Sequence, residues 1–93
     1  MTLEEILQAQ REIWGNKKMT PAEIAVALGV VYGDICRLVR QQQESGQLDS
    51  EELQKELGNI INSTVRWCDD FGFPPEDVIK TSQTAHQRYI DTR

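Results

Sequence analysis

Apolar residues recur along this chain at three- and four-residue intervals, and each such stretch opens on a helix-start signal. Leu3, Ile6, Leu7, Ile13 and Trp14, with Gln10 between, follow Thr2, and Glu5 stands three residues after that Thr, which is a capping-box pairing. The spacing predicts a first helix from about Thr2 to Trp14, ended by Gly15. After the polar loop Asn16-Lys17-Lys18, a second start appears in Thr20-Pro21-Ala22-Glu23, with Thr at the cap, Pro at the first helical position and Glu at the third. Its stripe is Ile24, Leu28, Val31, Ile35 and Leu38, and it fades in the run Gln41 to Gln43. Ser45-Gly46-Gln47 reads as a loop.

The stretch from Asp49 to Phe73 organises the rest. Asp49 caps it and Glu52 stands where a capping-box acid belongs. Leu53, Leu57, Ile60, Ile61, Val65, Cys68 and Phe71 keep helix spacing, and Gly72, Pro74 and Pro75 close it. This is a helix of about six turns at 3.6 residues per turn. A fourth helix begins near Pro75 and carries Val78, Ile79, Ala85 and Tyr89. No strand pattern, repeat or low-complexity segment competes. The expected architecture is all-α: a bundle of four helices, two of them long, with short loops that favour antiparallel neighbours.

With 93 residues the chain is expected to be one domain, residues 1–93, whose thin core favours completion by oligomerisation. The formal charge of −5 argues against a nucleic-acid coat or a polybasic membrane patch. Cys36 and Cys68 form no CxxC and read as buried free thiols. No apolar run is long enough to span a membrane and the start MTLEEI is acidic, so a soluble, cytoplasmic protein with no membrane partner is expected. The single histidine, His86, reads as a solvated helix residue. Trp14 and Trp67 read as core or subunit-interface packing. Lys17, Lys18, Arg37 and Arg40 read as solvated or paired, and no nucleophilic triad is supported.

The residues that can carry chemistry lie on the two long helices. Glu56 and Asn59 are three apart, beside the apolar stripe of the third helix; Val31 and Asp34 are three apart on the second. Packed antiparallel, the two helices can bring Asp34, Glu56 and Asn59 to one polar spot, and oxygen ligands from facing helices are how a bundle holds a hard cation such as Mg²⁺. On spacing alone, surface residues flanking a seam are the better account.

From Thr20 onward the chain resembles the MazG-like all-α nucleoside triphosphate pyrophosphohydrolases. The segments TPAEIAVALGVVYGDICRLV, ELQKELGNIINSTVRWCDDFGFPPEDVI and a closing QRY follow, in order, family patterns of the kind TPxxLAxALxEExGEL, EELGDVLxYLxxLAxxxGIxLExxL and a helix ending in RY. The first helix stands where the family has its leading helix, so the resemblance covers nearly the whole chain. It implies a MazG-like bundle, a homodimer or tetramer, and Mg²⁺-dependent hydrolysis of a nucleoside triphosphate to its monophosphate and pyrophosphate.

In that family four acids, spaced E-x-x-E and E-x-x-D, bind Mg²⁺ and the triphosphate. Carried over, the first position is Val31, the second Asp34, the third Glu56 and the fourth Asn59. The metal set implied is therefore Asp34, Glu56 and Asn59, with Glu56 the catalytic acid. Two of four acids are replaced, and the site charge falls from about −4 to about −2, against an ion that relies on anionic ligands. The expected activity is weak or lost. A non-catalytic relative that binds nucleotide or protein is the first alternative. On the last helix, Thr81 and Thr84 stand where the family often has Asn and Lys, while Arg88 and Tyr89 fit its ending.

A second alternative is a helix-turn-helix DNA binder over residues 20–40. In EIAVALGVVYGDICRLVR, Ala25, Gly29, Ile35 and Leu38 fit the motif's small, turn and core positions, with Arg37 and Arg40 toward phosphates. The acidic chain and the apolar Val30, Val31 and Tyr32 count against it, and it leaves the third helix unexplained. The two readings differ physically: the first needs a helix continuous through Gly29 and Gly33, the second a break between Gly29 and Val31.

Overall fold

The computed structural model describes residues 1–92, all but the final arginine. They form four helices, with no strand among the described residues: α1 (Leu3–Trp14), α2 (Pro21–Ser45), α3 (Ser50–Asp70) and α4 (Pro75–Asp91). Both N-terminal capping boxes are formed. The Thr2 and Thr20 hydroxyls accept from the N–H groups of Glu5 and Glu23, whose carboxylates accept in return from the cap N–H groups. At α3 the exchange is one-sided: Asp49 accepts from the Glu52 N–H at 3.1 Å, while the Glu52 carboxylate turns to Lys55. The α2 helix runs to Ser45, past the glutamine run, and Gly46 ends it in the left-handed region that glycine adopts without strain.

The α3 helix is the axis, and α1, α2 and α4 all pack on it. Its C-terminal end meets the N-terminal end of α2, since Asp70 accepts from the Met19 N–H at 3.3 Å. The two long helices therefore form an antiparallel hairpin. α3 closes in a Schellman turn: Gly72, at φ 80°, donates to the Asp69 carbonyl and Phe73 to the Cys68 carbonyl. That turn aims α4, which opens on Pro74 without a side-chain cap.

Little of the apolar pattern is covered within one chain. The buried apolar side chains are Leu7, Ile24, Leu38, Val65 and Trp67. The stripes expected to form a core are half open: Leu28, Leu57, Ile61, Phe71, Ile79 and Tyr89 are exposed. Cys68 is half-buried, but Cys36, expected to be buried, is exposed on the outer side of α2. From Ile79 onward every described residue of α4 is exposed.

Two global quantities agree. The radius of gyration is 15.9 Å, where a compact domain of this length has about 12 Å. The accessible surface is 7255 Å², where a folded monomer of this mass exposes about 5,500 Å². The surplus of roughly 1,700 Å² is twice the ~800 Å² that one partner contributes to a standard interface.

Candidate functional site: a carboxylate cluster closed by a lysine

Glu56 is a buried charged residue, at 5 % exposure. It lies on α3, a turn from the half-buried Leu53 and Ile60. Burying an ionised carboxylate costs several kcal/mol unless a partner compensates. The partner is Lys55. Its Nζ stands 3.7 Å from Glu56 Oε1 and also contacts the Glu52 carboxylate one turn back. The Glu52 carboxylate, through its hydrogen bond and then its charge, holds the Lys55 ammonium above the usual lysine range, with Glu56 and Asp34 of α2 adding smaller contributions of the same sign. The lysine head remains largely open to water, so the cluster is a buried acid with its counter-charge at the rim.

Of the residues singled out from the sequence, Glu56 and Asp34 lie on this side of the α2–α3 hairpin, Glu56 buried and Asp34 half-buried. Asn59 is exposed, and Val31 is half-buried apolar filling. The hydroxyls of Thr81 and Thr84 are turned back to the carbonyls of Asp77 and Lys80 in their own helix. His86, Arg37 and Arg40 are exposed. Sequence reasoning passed over Lys55 and assigned Glu52 only to the helix cap. The signal existed, since Glu52 and Lys55 are three apart on one helix face, but the burial of Glu56 that gives the pair its meaning is set by α2.

These residues do not fit a protein-held divalent metal centre. Mg²⁺ takes an octahedron of oxygens and depends on carboxylates to offset its lost hydration. Here the buried carboxylate already faces an ammonium, and among the described residues no three His, Cys, Asp or Glu side chains are grouped to hold an ion. The α2 helix is also unbroken from Pro21 to Ser45, through Gly29 and Gly33, so the turn that a helix-turn-helix requires is not present.

A second polar cluster sits at the other end of α3. Arg66 Nε is 3.7 Å from Asp70 Oδ2, with both side chains largely buried. Its guanidinium stacks over the Trp14 ring at 4.6 Å and donates to the Lys17 carbonyl at 3.4 Å. Together with the Met19 N–H, this ties the α1–α2 loop to α3. Arg11 and Asp69 pair nearby at 3.0 Å, in a more exposed position. Between α3, α4 and the start of α1 runs an apolar groove of about 250 Å³, lined by Leu3, Ile60, Ile61, Thr64, Cys68 and Ile79 among others.

Compared with protein-family models, curated proteins and solved structures, the chain matches none of them. No described helix is long and apolar enough to cross a membrane.

Proposed function

We propose that this chain is a MazG-like helical protein with a reduced nucleotide site, cytoplasmic and assembled as a homo-oligomer. In it, hydrolysis of a nucleoside triphosphate to monophosphate and pyrophosphate is weak or lost. The observation that carries the reading is the buried Glu56 on α3, with Lys55 rather than a further acid at its oxygens. The segment order of the chain supports the kinship, and the charge of the cluster accounts for the loss.

The decisive assay is pyrophosphate release from a panel of NTPs and dNTPs with Mg²⁺ or Mn²⁺, run beside Glu56→Ala. We expect release from the native chain to be no greater than from the variant. Robust release that Glu56→Ala abolishes would mean that Asp34 and Glu56 suffice, and the loss of activity proposed here would be wrong.

The exposed apolar stripes and the surplus surface support assembly into an oligomer. Leu57 and Ile61 of α3 are exposed one turn apart, and Ile61 also lines the groove beside α4, an apolar surface that a second copy would cover. Light scattering at micromolar concentration is expected to give at least twice the 10.7 kDa chain mass. Leu57→Asp, placing a charge where the present side chain is 47 % exposed, is expected to return the mass to that of one chain. A native chain that is monomeric at that concentration would refute the assembly.

A further inference from the structure

The outer side of α2 carries a second stripe, one that packing on α3 does not use. Glu23, Val26, Val30, Gly33, Arg37 and Arg40 follow one another at alternating three- and four-residue steps, and all of them are exposed. The buried Ile24 and Leu38 lie on the opposite side of the helix. We propose that this stripe is a self-complementary seam, on which α2 of a second copy packs antiparallel. It adds a second contact to the assembly proposed above and does not depend on the nucleotide site.

Spacing is the first ground. Alternating steps of three and four make the narrow seam along which two helices pair and supercoil. The order of charges is the second. In the antiparallel register that sets Val30 opposite Gly33 of the second copy, Val26 falls opposite Arg37 and Glu23 opposite Arg40, and two-fold symmetry repeats each pairing. A parallel pairing would set Glu23 against Glu23 and Arg40 against Arg40, which like-charge repulsion disfavours. The third ground is what the single chain leaves open. Val26 and Val30 are 69 % and 60 % exposed. Neither Arg37 nor Arg40 has a carboxylate within 4.0 Å among the described residues. The space over Gly33 is empty, since a Cβ there would meet nothing within 4 Å. A valine of the second copy fits that space, and the Arg37 stem can lie along Val26.

The surface allows both contacts. The surplus of roughly 1,700 Å² exceeds the ~800 Å² that one partner gives to a standard interface. The α2 seam is the weaker of the two. Its apolar part is two valines per copy, and its ion pairs are exposed and contribute little each.

The test starts from Leu57→Asp, in which the α3–α4 face is blocked and α2 is left to pair. Sedimentation equilibrium of this variant at submillimolar concentration is expected to give twice the mass of one chain. Three changes are then added singly, with circular dichroism as the check on folding. Val30→Lys sets a further cation beside the arginines at the centre of the seam and should return the mass to that of one chain. Arg40→Glu and Glu23→Lys should each lose the pairing alone, because like charges then face one another. Mixed in equal amounts, those two chains should recover the doubled mass, since both pairings again join opposite charges. Leu57→Asp that stays at the mass of one chain overturns the proposal, as does a doubled mass that survives Val30→Lys. A mixture of folded chains that recovers nothing overturns it too. If Glu23→Lys unfolds through loss of its bond from the Thr20 N–H, Val30→Lys decides alone. The native chain at micromolar concentration reports separately on the α3–α4 face, so the two contacts stand or fall on different measurements.

Discussion

Leu38→Ala is expected to cost about 2–5 kcal/mol, the range for emptying a fully buried leucine site. Leu38 has 1 % exposure, the least of any described side chain, and lies on the face of α2 that packs against α3. The total stability of a chain this long is about 5–14 kcal/mol at 0.05–0.15 kcal/mol per residue, and with only five buried apolar side chains it belongs at the lower end. The variant should lose at least about 8 °C in Tm, at roughly 4–8 °C per kcal/mol, or lose a cooperative transition altogether. Val39→Ala is the control: it is the next residue but 43 % exposed, and its loss should stay below about 1 kcal/mol in the single chain. Thermal melts at one fixed concentration compare the two. A Leu38→Ala penalty no larger than that of Val39→Ala would mean that the hairpin seam is not the core.

Asp70→Ala is expected to be nearly as damaging, about 3 kcal/mol, although it removes no apolar contact. The Arg66 and Asp70 side chains are 13 % and 5 % exposed, and a buried pair broken from one side leaves the other charge without compensation, at a typical cost of 3–5 kcal/mol. The lower end applies because Arg66 keeps its stacking on Trp14 and its bond to the Lys17 carbonyl. The Met19 N–H loses its acceptor as well. Replacing both partners, Arg66→Met with Asp70→Leu, should cost less than Asp70→Ala alone, because no charge is then stranded. Asp69→Ala, at the more open Arg11–Asp69 pair (46 % and 35 % exposed), should cost no more than about 1 kcal/mol. Chemical denaturation of the four chains gives the order directly. If Asp69→Ala matched Asp70→Ala, burial would not be what gives the Arg66 pair its weight.

The helix boundaries were legible because they are local chemistry. Thr2 with Glu5 and Thr20 with Glu23 encode two starts within four residues each, and Gly72 encodes an end because only a residue free to take positive φ completes that turn. What the spacing could not convey is which apolar face meets which. Leu57 and Val65 belong to the same periodic set, yet one is exposed and the other buried. Periodicity marks a face to be covered and is silent on whether the same chain covers it. Glu56 was chosen from spacing and family pattern, and it is buried. Its lysine partner was passed over because a Lys on a helix surface is ordinarily solvated. Arg66 and Asp70 are four apart and readable as a helix pair, but their burial depends on a loop more than forty residues earlier in the chain.

If copies assemble as proposed, the long free reach of α4 would link abundance to lifetime. Only its first turn, around Pro75 and Val78, is partly covered, and everything beyond stands in water. A helix held at one end opens locally at little cost, and Lys80 and Arg88 then become targets for a trypsin-like protease. A neighbouring copy seated along the α3–α4 groove would close that route. Copies made in excess of their partners would be trimmed and assembled ones spared, so the protein would set its own level without a dedicated regulator. The C-terminal cleavage rate per molecule should accordingly fall as concentration rises. A rate indifferent to concentration would uncouple degradation from assembly.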